Sequence, residues 1–320
     1  KACLKTGKVA IDTETASTDG SSGVPDPITC KIVGFSIYTP GRKAAYIPIH
    51  HVSYVTGVEV DNQISEEFIA QQLQLLVDNG VKTYWFNAKY DIRVISNQLG
   101  VYFIPYYDAY IGARLLNENE PNNQLKPLHQ KYVLNGEGDA WTFGDLFKGI
   151  PFSHIPIKSA YLYAARDAEV TFELSEFQLQ YLDYEQIPED RDDLRGVADV
   201  LWHIEMPLVP VTAKMEDTGI AFDHEYAQQL SVKYNEMLEK ALGEFNNILS
   251  RYETQIMEYI SKSKDPKIQY PVNIASPTQL AILLYDILGI KAVDKKNPRG
   301  TGEEILEKID HPLSKAILDY

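Results

Sequence analysis

Two carboxylates stand two residues apart at the end of an apolar run near the start of the sequence. In VAIDTET, residues 9–15, the pattern predicts a strand. Strand side chains alternate, so Asp12 and Glu14 share one face, while Val9, Ile11 and Thr13 point the other way. Two acids on one face repel each other. A shared cation would explain the pair, and so would an ordinary solvated strand end or a helix cap.

Two later segments place polar pairs at helical spacing. Asn87 and Asp91 in NAKYD are an i,i+4 pair, and so are Tyr163 and Asp167 in YAARD. Each residue also has a purely structural explanation. Asn87 suits a helix N-cap, and Asp91 a solvated surface. Tyr163 suits an apolar stripe beside Leu162, and Asp167 an ion pair along its own helix.

Packed together, the three segments would bring four carboxylates and one phenol around a single point. Such a cluster is costly unless a cation neutralises it or its pKa values rise. Hard oxygen ligands without His or Cys favour Mg²⁺ or Mn²⁺ over zinc. Two such ions about 4 Å apart stabilise the attacking and leaving oxygens of an in-line phosphoryl displacement. The combination therefore points to metal-dependent phosphoryl chemistry.

The elements that must position these residues alternate between strand and helix in the first half of the chain. KVAIDT, KIVGFSIY, KAAYIPIH and VKTYWF read as strands, and Ser65 and Gly80 bracket a predicted amphipathic helix. This order predicts an α/β fold with a mixed sheet flanked by helices. Beyond DYEQIPEDRDD, residues 183–193, the pattern is almost entirely helical. We place a domain boundary at residue 188.

Composition limits the classes of function. The formal net charge of −15 argues against a sequence-independent duplex binder, unless metal ions bring positive charge to the site. Two cysteines, Cys3 and Cys30, are too few for a disulfide framework or a zinc site, which favours a cytoplasmic location. No apolar run is long enough to span a membrane.

The three segments resemble a known family. VAIDTET, WFNAKYDIRVI and YAARDAEVTFEL resemble, in order and spacing, the three motifs of the DEDDy class of 3′–5′ exonucleases, and most of all the proofreading domain of family A DNA polymerases. IEMPLVPVTAKMEDTGIAFD resembles the start of the polymerase region, and NIASPTQLAILLYDILGIK its thumb. The resemblance implies a ribonuclease H-like exonuclease domain at 1–188 and thumb helices at 189–320. It also implies a fragment of a longer protein, without palm, fingers or polymerase site.

The resemblance also implies catalytic roles. Asp12, Glu14 and Asp167 would hold the first of two Mg²⁺ or Mn²⁺ ions. Asp12 would bridge to the second ion, which Asp91 would contact through water. Tyr163, with Glu14, would orient the attacking water. The product would be a 5′-mononucleotide released from a single-stranded DNA 3′ end.

Contacts to DNA are implied at two places. The terminal nucleotides would meet Thr13, Thr18, Asn87 and Tyr163. The family often has an acidic residue at Ala16 and an apolar wedge at Thr18, so grip on the terminal bases is expected to differ here. In KAVDKKNPRGTG the candidate phosphate contacts to a primer–template duplex are Lys295, Lys296 and Arg299, with a solvated loop as the equal alternative.

Two other functions stay open at this point. One is a stand-alone DEDDy exonuclease that trims RNA or DNA, against which IEMPLVPVTAKMEDTGIAFD argues. The other is a catalytically inactive nuclease fold that binds DNA, which predicts lost acids in the motifs, whereas all four are present. The expected protein is a monomer that binds DNA and no membrane.

Overall fold

A five-stranded mixed sheet is the centre of the first half of the described chain. The computed structural model describes residues 1–18, 24–138, 141–263 and 266–320. The strands are β1 (Lys8–Ala16), β2 (Lys31–Tyr38), β3 (Ala45–Pro48), β4 (Lys82–Trp85) and β5 (Tyr107–Asp108). Their order is β3-β2-β1-β4-β5, with β1 antiparallel to β2 and parallel to β4. The predicted mixed sheet is confirmed.

Strand β1 lies in the middle of the sheet and is covered on both faces. Val9, Ala10 and Ile11 have no exposed surface, which explains the continuous apolar run in the sequence. Val9 and Ile11 join the apolar cluster on one face, and Ala10 joins the cluster on the other. The acidic end of β1 follows this buried stretch directly, so the core fixes where its carboxylates emerge.

Helices cover the sheet and account for most of the other regular elements of the described chain. Ser65 caps the second helix by accepting a hydrogen bond from Phe68 N, as its sequence predicts. In the described residues every helix is too short or too polar to cross a bilayer. The helices are α1 (Ala2–Thr6), α2 (Glu66–Asp78), α3 (Ala88–Leu99), α4 (Ala109–Leu116), α5 (Leu125–Tyr132), α6 (Phe143–Phe147), α7 (Ile157–Leu182), α8 (Asp192–Val200), α9 (Met206–Thr218), α10 (His224–Leu249), α11 (Glu253–Lys262), α12 (Pro277–Ala281), α13 (Glu303–Leu306) and α14 (Pro312–Asp319).

Helix α7 packs across the sheet against β1 and β2 through small side chains. Ala160, Ala164 and Ala168 recur every four residues and have no exposed surface. A stripe of alanines lets the helix backbone approach the strands closely. Because Tyr163 and Asp167 each precede a buried alanine, the close packing holds both side chains near the end of β1.

The described chain divides into two compact units, Lys1–Gly219 and Ile220–Tyr320. Helix α9 belongs to the first unit, because Val209 and Ala213 join the apolar cluster of β1 and α3. The second unit has its own core, built around Phe245, Leu283 and Leu313. The structural division therefore lies beyond the boundary that we placed at residue 188. The loss of strand signals there marked a change in secondary structure, and packing continues across it.

Candidate active site

The end of β1 and the middle of α7 bring three carboxylates together. One oxygen each from Asp12, Glu14 and Asp167 lies within 4.8 Å of the other two. Asp12 and Glu14 are half-buried, and Asp167 is buried. The pairing of β1 with β2 is regular through Asp12 and Glu14 and shifts register directly after Glu14. We call these three residues the carboxylate cluster.

Burial and mutual repulsion make the ionised cluster costly. Burial, with the charges of Asp91 and Asp167, raises the pKa of Asp12 well above its usual value. Burial and the charge of Asp12 do the same to the pKa of Glu14. Burial also raises the pKa of Asp167, which the ammonium of Lys126 lowers in part. The raised pKa values indicate that burial and mutual repulsion outweigh the positive charge of Lys126.

The donor set fits a hard divalent cation. All three donors are carboxylate oxygens, the ligand type that Mg²⁺ and Mn²⁺ prefer. Asp167 Oδ1 is buried and has no hydrogen-bond partner. Lys126 Nζ lies 2.8 Å from it as an ion pair, without the alignment of a hydrogen bond. Asp167 Oδ1 thus already faces a cation, the position that an ion ligand must take.

Tyr163 stands beside the cluster in a cage of aromatic rings. Its ring centroid is 5.8 Å from Phe143, 6.2 Å from Phe147 and 6.5 Å from Phe152. Burial and the charge of Asp167 raise the pKa of Tyr163, so the phenol stays protonated. Its neighbour Leu162, which we expected in the same apolar stripe, is 74% exposed. Packing of Phe143, Phe147 and Phe152, rather than a stripe shared with Leu162, covers the Tyr163 ring, which is half-buried.

Residues 1–180 match a family model described as 3′–5′ exonuclease, of the DNA polymerase A type. The chain belongs to this exonuclease family. It is 30% identical over 324 residues to DNA polymerase I of Pseudomonas aeruginosa. That match covers 98% of this chain and 31% of the relative. It is 27% identical over 321 residues to DNA polymerase I of Borreliella burgdorferi, covering 99% of this chain and 30% of the relative. The chain thus spans about a third of the length of these curated relatives.

A solved structure of a DNA polymerase agrees with the fold. The POL domain of Pol1 from M. smegmatis, in complex with DNA primer-template and dNTP, superposes with a TM-score of 0.57 at 17% identity. The match covers 97% of this chain and 43% of that one. At this identity the likeness concerns the fold alone.

Asp91, the fourth acid of the exonuclease motifs, lies outside the carboxylate cluster and is held by the strand. Its Oδ1 accepts hydrogen bonds from Thr13 N at 2.9 Å and Thr13 Oγ1 at 2.6 Å. Burial raises the pKa of Asp91 to about 7, against the hydrogen bonds from Thr13 that lower it. Thr13, a predicted substrate contact, therefore has a structural partner in the buried interior. Its contact with DNA stays a prediction.

Asn87 of the exonuclease family's second motif does not share a helical face with Asp91. It lies before the first turn of α3 with a positive φ of 68°, and its side chain makes no capping hydrogen bond. Asp108 caps the helix instead, accepting from Asn87 N at 2.9 Å and Ala88 N at 2.7 Å. The i,i+4 rule failed here because it applies only to residues with helical backbone. The role of Asn87 in substrate binding stays a prediction.

The remaining predicted DNA contacts differ in their exposure and in whether their side chains already bind another residue. Thr18 is exposed and donates a hydrogen bond to the carbonyl of Thr29 at 2.8 Å. In the second unit Lys295 and Lys296 are exposed, whereas Arg299 donates hydrogen bonds to Asp286 from both terminal guanidinium nitrogens. The paired guanidinium weakens the case for Arg299 as a phosphate contact.

Sequence reasoning missed two residues at the exonuclease site. Asp108 accepts hydrogen bonds from the first residues of both α3 and α4, and an Asp directly before a predicted helix was the available signal. Lys126 reaches the carboxylate cluster from the first turn of α5. No spacing in the sequence marks it, since only packing decides which cation enters the site.

Proposed function

We propose that this chain is a 3′–5′ exodeoxyribonuclease, dependent on two divalent ions, Mg²⁺ or Mn²⁺, that releases 5′-mononucleotides from DNA 3′ ends. The observation that carries the proposal is the carboxylate cluster, whose oxygens lie within 4.8 Å of one another in a member of a 3′–5′ exonuclease family. Asp12, Glu14 and Asp167 would hold one ion, Asp12 would also face the second, and Asp91 would contact the second through water. Ions bound there would supply Lewis acidity and positive charge to the phosphodiester.

The chain's own residues would orient the reactants. The phenol of Tyr163 stays protonated and its ring is fixed by three phenylalanines, so the hydroxyl can position a water with Glu14. Asp91 is fixed by two hydrogen bonds from Thr13, which couples α3 to β1. Rigid support of this kind limits the reorganisation needed when substrate arrives.

As part of a DNA polymerase, the domain would proofread. The relatives that match nearly the whole chain are named DNA polymerase I, and a structural neighbour binds DNA primer-template and dNTP. We therefore propose DNA as the substrate, a primer–template duplex as the partner of the second unit, a monomeric state and a cytoplasmic location. Polymerisation would be carried by parts of the relatives that these 320 residues do not match.

The direct test is a gel assay on single-stranded DNA labelled at its 5′ end. Wild-type protein with Mg²⁺ or Mn²⁺ should give a ladder of shortened products, and a chelator should stop it. Asp12→Ala should abolish the ladder, whereas Asp61→Ala, which removes an exposed acid from a loop of the same unit, should leave it intact. No shortening by wild-type protein with either ion would disprove the proposal. Replacing the DNA by RNA of the same sequence tests the RNA-trimming alternative.

A further inference from the structure

Lys126 is a nearly buried cation at the edge of the carboxylate cluster. It lies in the first turn of α5, which is anchored by the fully buried Leu128 in the same apolar cluster as Ala168 of α7. The Lys126 side chain is only 14% exposed. Lysine is rarely so buried unless its ammonium has a specific partner, because its charge must stay solvated or paired.

The ammonium of Lys126 contacts two residues of the proposed mechanism at once. Its Nζ lies 2.8 Å from Asp167 Oδ1 and 3.4 Å from the centre of the Tyr163 ring. The second distance is typical of a cation–π contact, which is strongest where water is excluded. The ammonium of Lys126 therefore contacts both Asp167, a proposed ion ligand, and Tyr163, the phenol that would orient water.

Other cations near α7 have acidic partners outside the cluster. Arg166 is 44% exposed and pairs with Glu169 at 2.6 Å, and Lys131 of α5 pairs with Glu120. Among the ion pairs of the described residues, the Lys126–Asp167 pair alone involves the carboxylate cluster. Lys126 is thus the cation that touches the cluster directly.

We propose that Lys126 is a positioning residue that pairs with Asp167 before a divalent ion binds and yields Asp167 to that ion, so that the two cations compete. The inference rests on the proposed function. A divalent ion sits roughly 2.1 Å from a carboxylate ligand, so an ion on Asp167 Oδ1 would lie within about 5 Å of Nζ. Two cations that close repel each other, and the ammonium must withdraw.

The structure offers Lys126 a place to withdraw to. An open groove of about 420 Å³ begins at Lys126 and Tyr163, and Trp141, Leu162 and Arg166 line its walls. The flexible four-carbon stem of lysine can turn into this groove with little change in α5. Lys126 would thereby hold Asp167 in place without a bound ion and leave it free once one arrives.

The test measures Mn²⁺ binding to the DNA-free 320-residue chain by electron paramagnetic resonance. Lys126→Met should tighten Mn²⁺ binding about tenfold, because the competing charge is gone. Lys126→Arg keeps the charge and should stay within about threefold of wild type. Lys131→Met is the matched control: it removes one exposed positive charge, paired with Glu120, from the same helix α5 and should change affinity by less than about twofold. Unchanged affinity in Lys126→Met would overturn the inference.

Thermal melting separates competition from a merely structural role. In a chelator, Lys126→Met should melt about 3 °C or more below wild type, since Asp167 then lacks its counter-charge. Saturating Mn²⁺ should close that gap, whereas an equal deficit with and without Mn²⁺ would overturn the inference. If Lys126→Met does not fold, Lys126→Gln takes its place in both measurements.

A further variant distinguishes failure of this inference from failure of the proposed function. Wild-type protein should bind Mn²⁺ at a site that Asp12→Ala removes. If wild-type protein shows no such site, the proposed function fails and the inference with it. If the site is present and Lys126→Met leaves its affinity unchanged, the inference fails alone.

Discussion

The buried carboxylate of Asp108 accepts hydrogen bonds from the starts of two helices, α3 and α4. Its removal should therefore destabilise the first unit strongly. Oδ1 accepts from Asn87 N at 2.9 Å and Tyr110 N at 2.9 Å, and Oδ2 accepts from Ala88 N at 2.7 Å. Losing a capping side chain costs about 1 kcal/mol per helix, and a buried donor left unpaired costs about 1–3 kcal/mol more. Asp108→Ala should therefore lower the free energy of unfolding by about 3–5 kcal/mol.

Tryptophan fluorescence during urea unfolding isolates the relevant unit. All three tryptophans, Trp85, Trp141 and Trp202, lie in Lys1–Gly219, so the signal does not report on the second unit. With a slope of about 2 kcal/mol per molar urea, the expected loss moves the midpoint down by about 2 M. Cleavage activity should fall too, because Asp91 lies one turn into the helix that Asp108 caps.

Two control variants sharpen the test of Asp108. Ser65→Ala removes one exposed cap of α2, a single hydrogen bond of 3.3 Å, and should cost only about 0.5–1 kcal/mol. Asp108→Asn keeps one acceptor oxygen and should fall between the two. If Asp108→Ala costs no more than Ser65→Ala, the argument that one buried carboxylate stabilises both helix starts is refuted.

Three further predictions follow from contacts around the site. Gly34→Ala would place Cβ 2.1 Å from Tyr46 Oη, which is fixed by a 2.6 Å hydrogen bond with His51 Nε2. Urea unfolding should show a loss of about 1–3 kcal/mol in the free energy of unfolding. The control Gly196→Ala on α8, whose Cβ meets nothing within 4 Å, should change that free energy little or raise it by up to about 1 kcal/mol. Thr13→Val removes the 2.6 Å hydrogen bond to Asp91 Oδ1 and should slow cleavage of 5′-labelled DNA about tenfold. A cleavage rate equal to wild type would contradict the inference that Thr13 holds Asp91 in place. Burial lowers the pKa of His51, so the folded state disfavours its protonated form and His51 costs the first unit stability below about pH 6.5, whereas the buried carboxylates with raised pKa values, Asp91 at about 7 among them, act in the opposite direction. His51→Gln should therefore raise the urea midpoint at about pH 5.5 relative to that at about pH 7.5, by comparison with wild type. An unchanged difference between the two midpoints would show that His51 does not contribute.

The sequence alone predicted what depends on local periodicity. Alternation along β1 placed Asp12 and Glu14 on one face, and the i,i+4 spacing did the same for Tyr163 and Asp167 on α7. Both predictions hold because each pair lies within one regular element, whose geometry is set by backbone hydrogen bonds. Asn87 lies just outside α3 with a left-handed backbone, so the helical spacing rule does not apply to it.

Only the tertiary structure decided which side chains from elements far apart in the sequence are in contact. The sequence determined the carboxylates, the elements that carry them and the exonuclease family to which the chain belongs. It gave no sign that Lys126 would enter the cluster, that Thr13 would hold Asp91, or that α9 would pack with the first unit. These contacts join residues far apart in the chain, and no local pattern encodes them. They arise because helices with apolar faces must pack together, and that packing brings particular charged side chains to the same point.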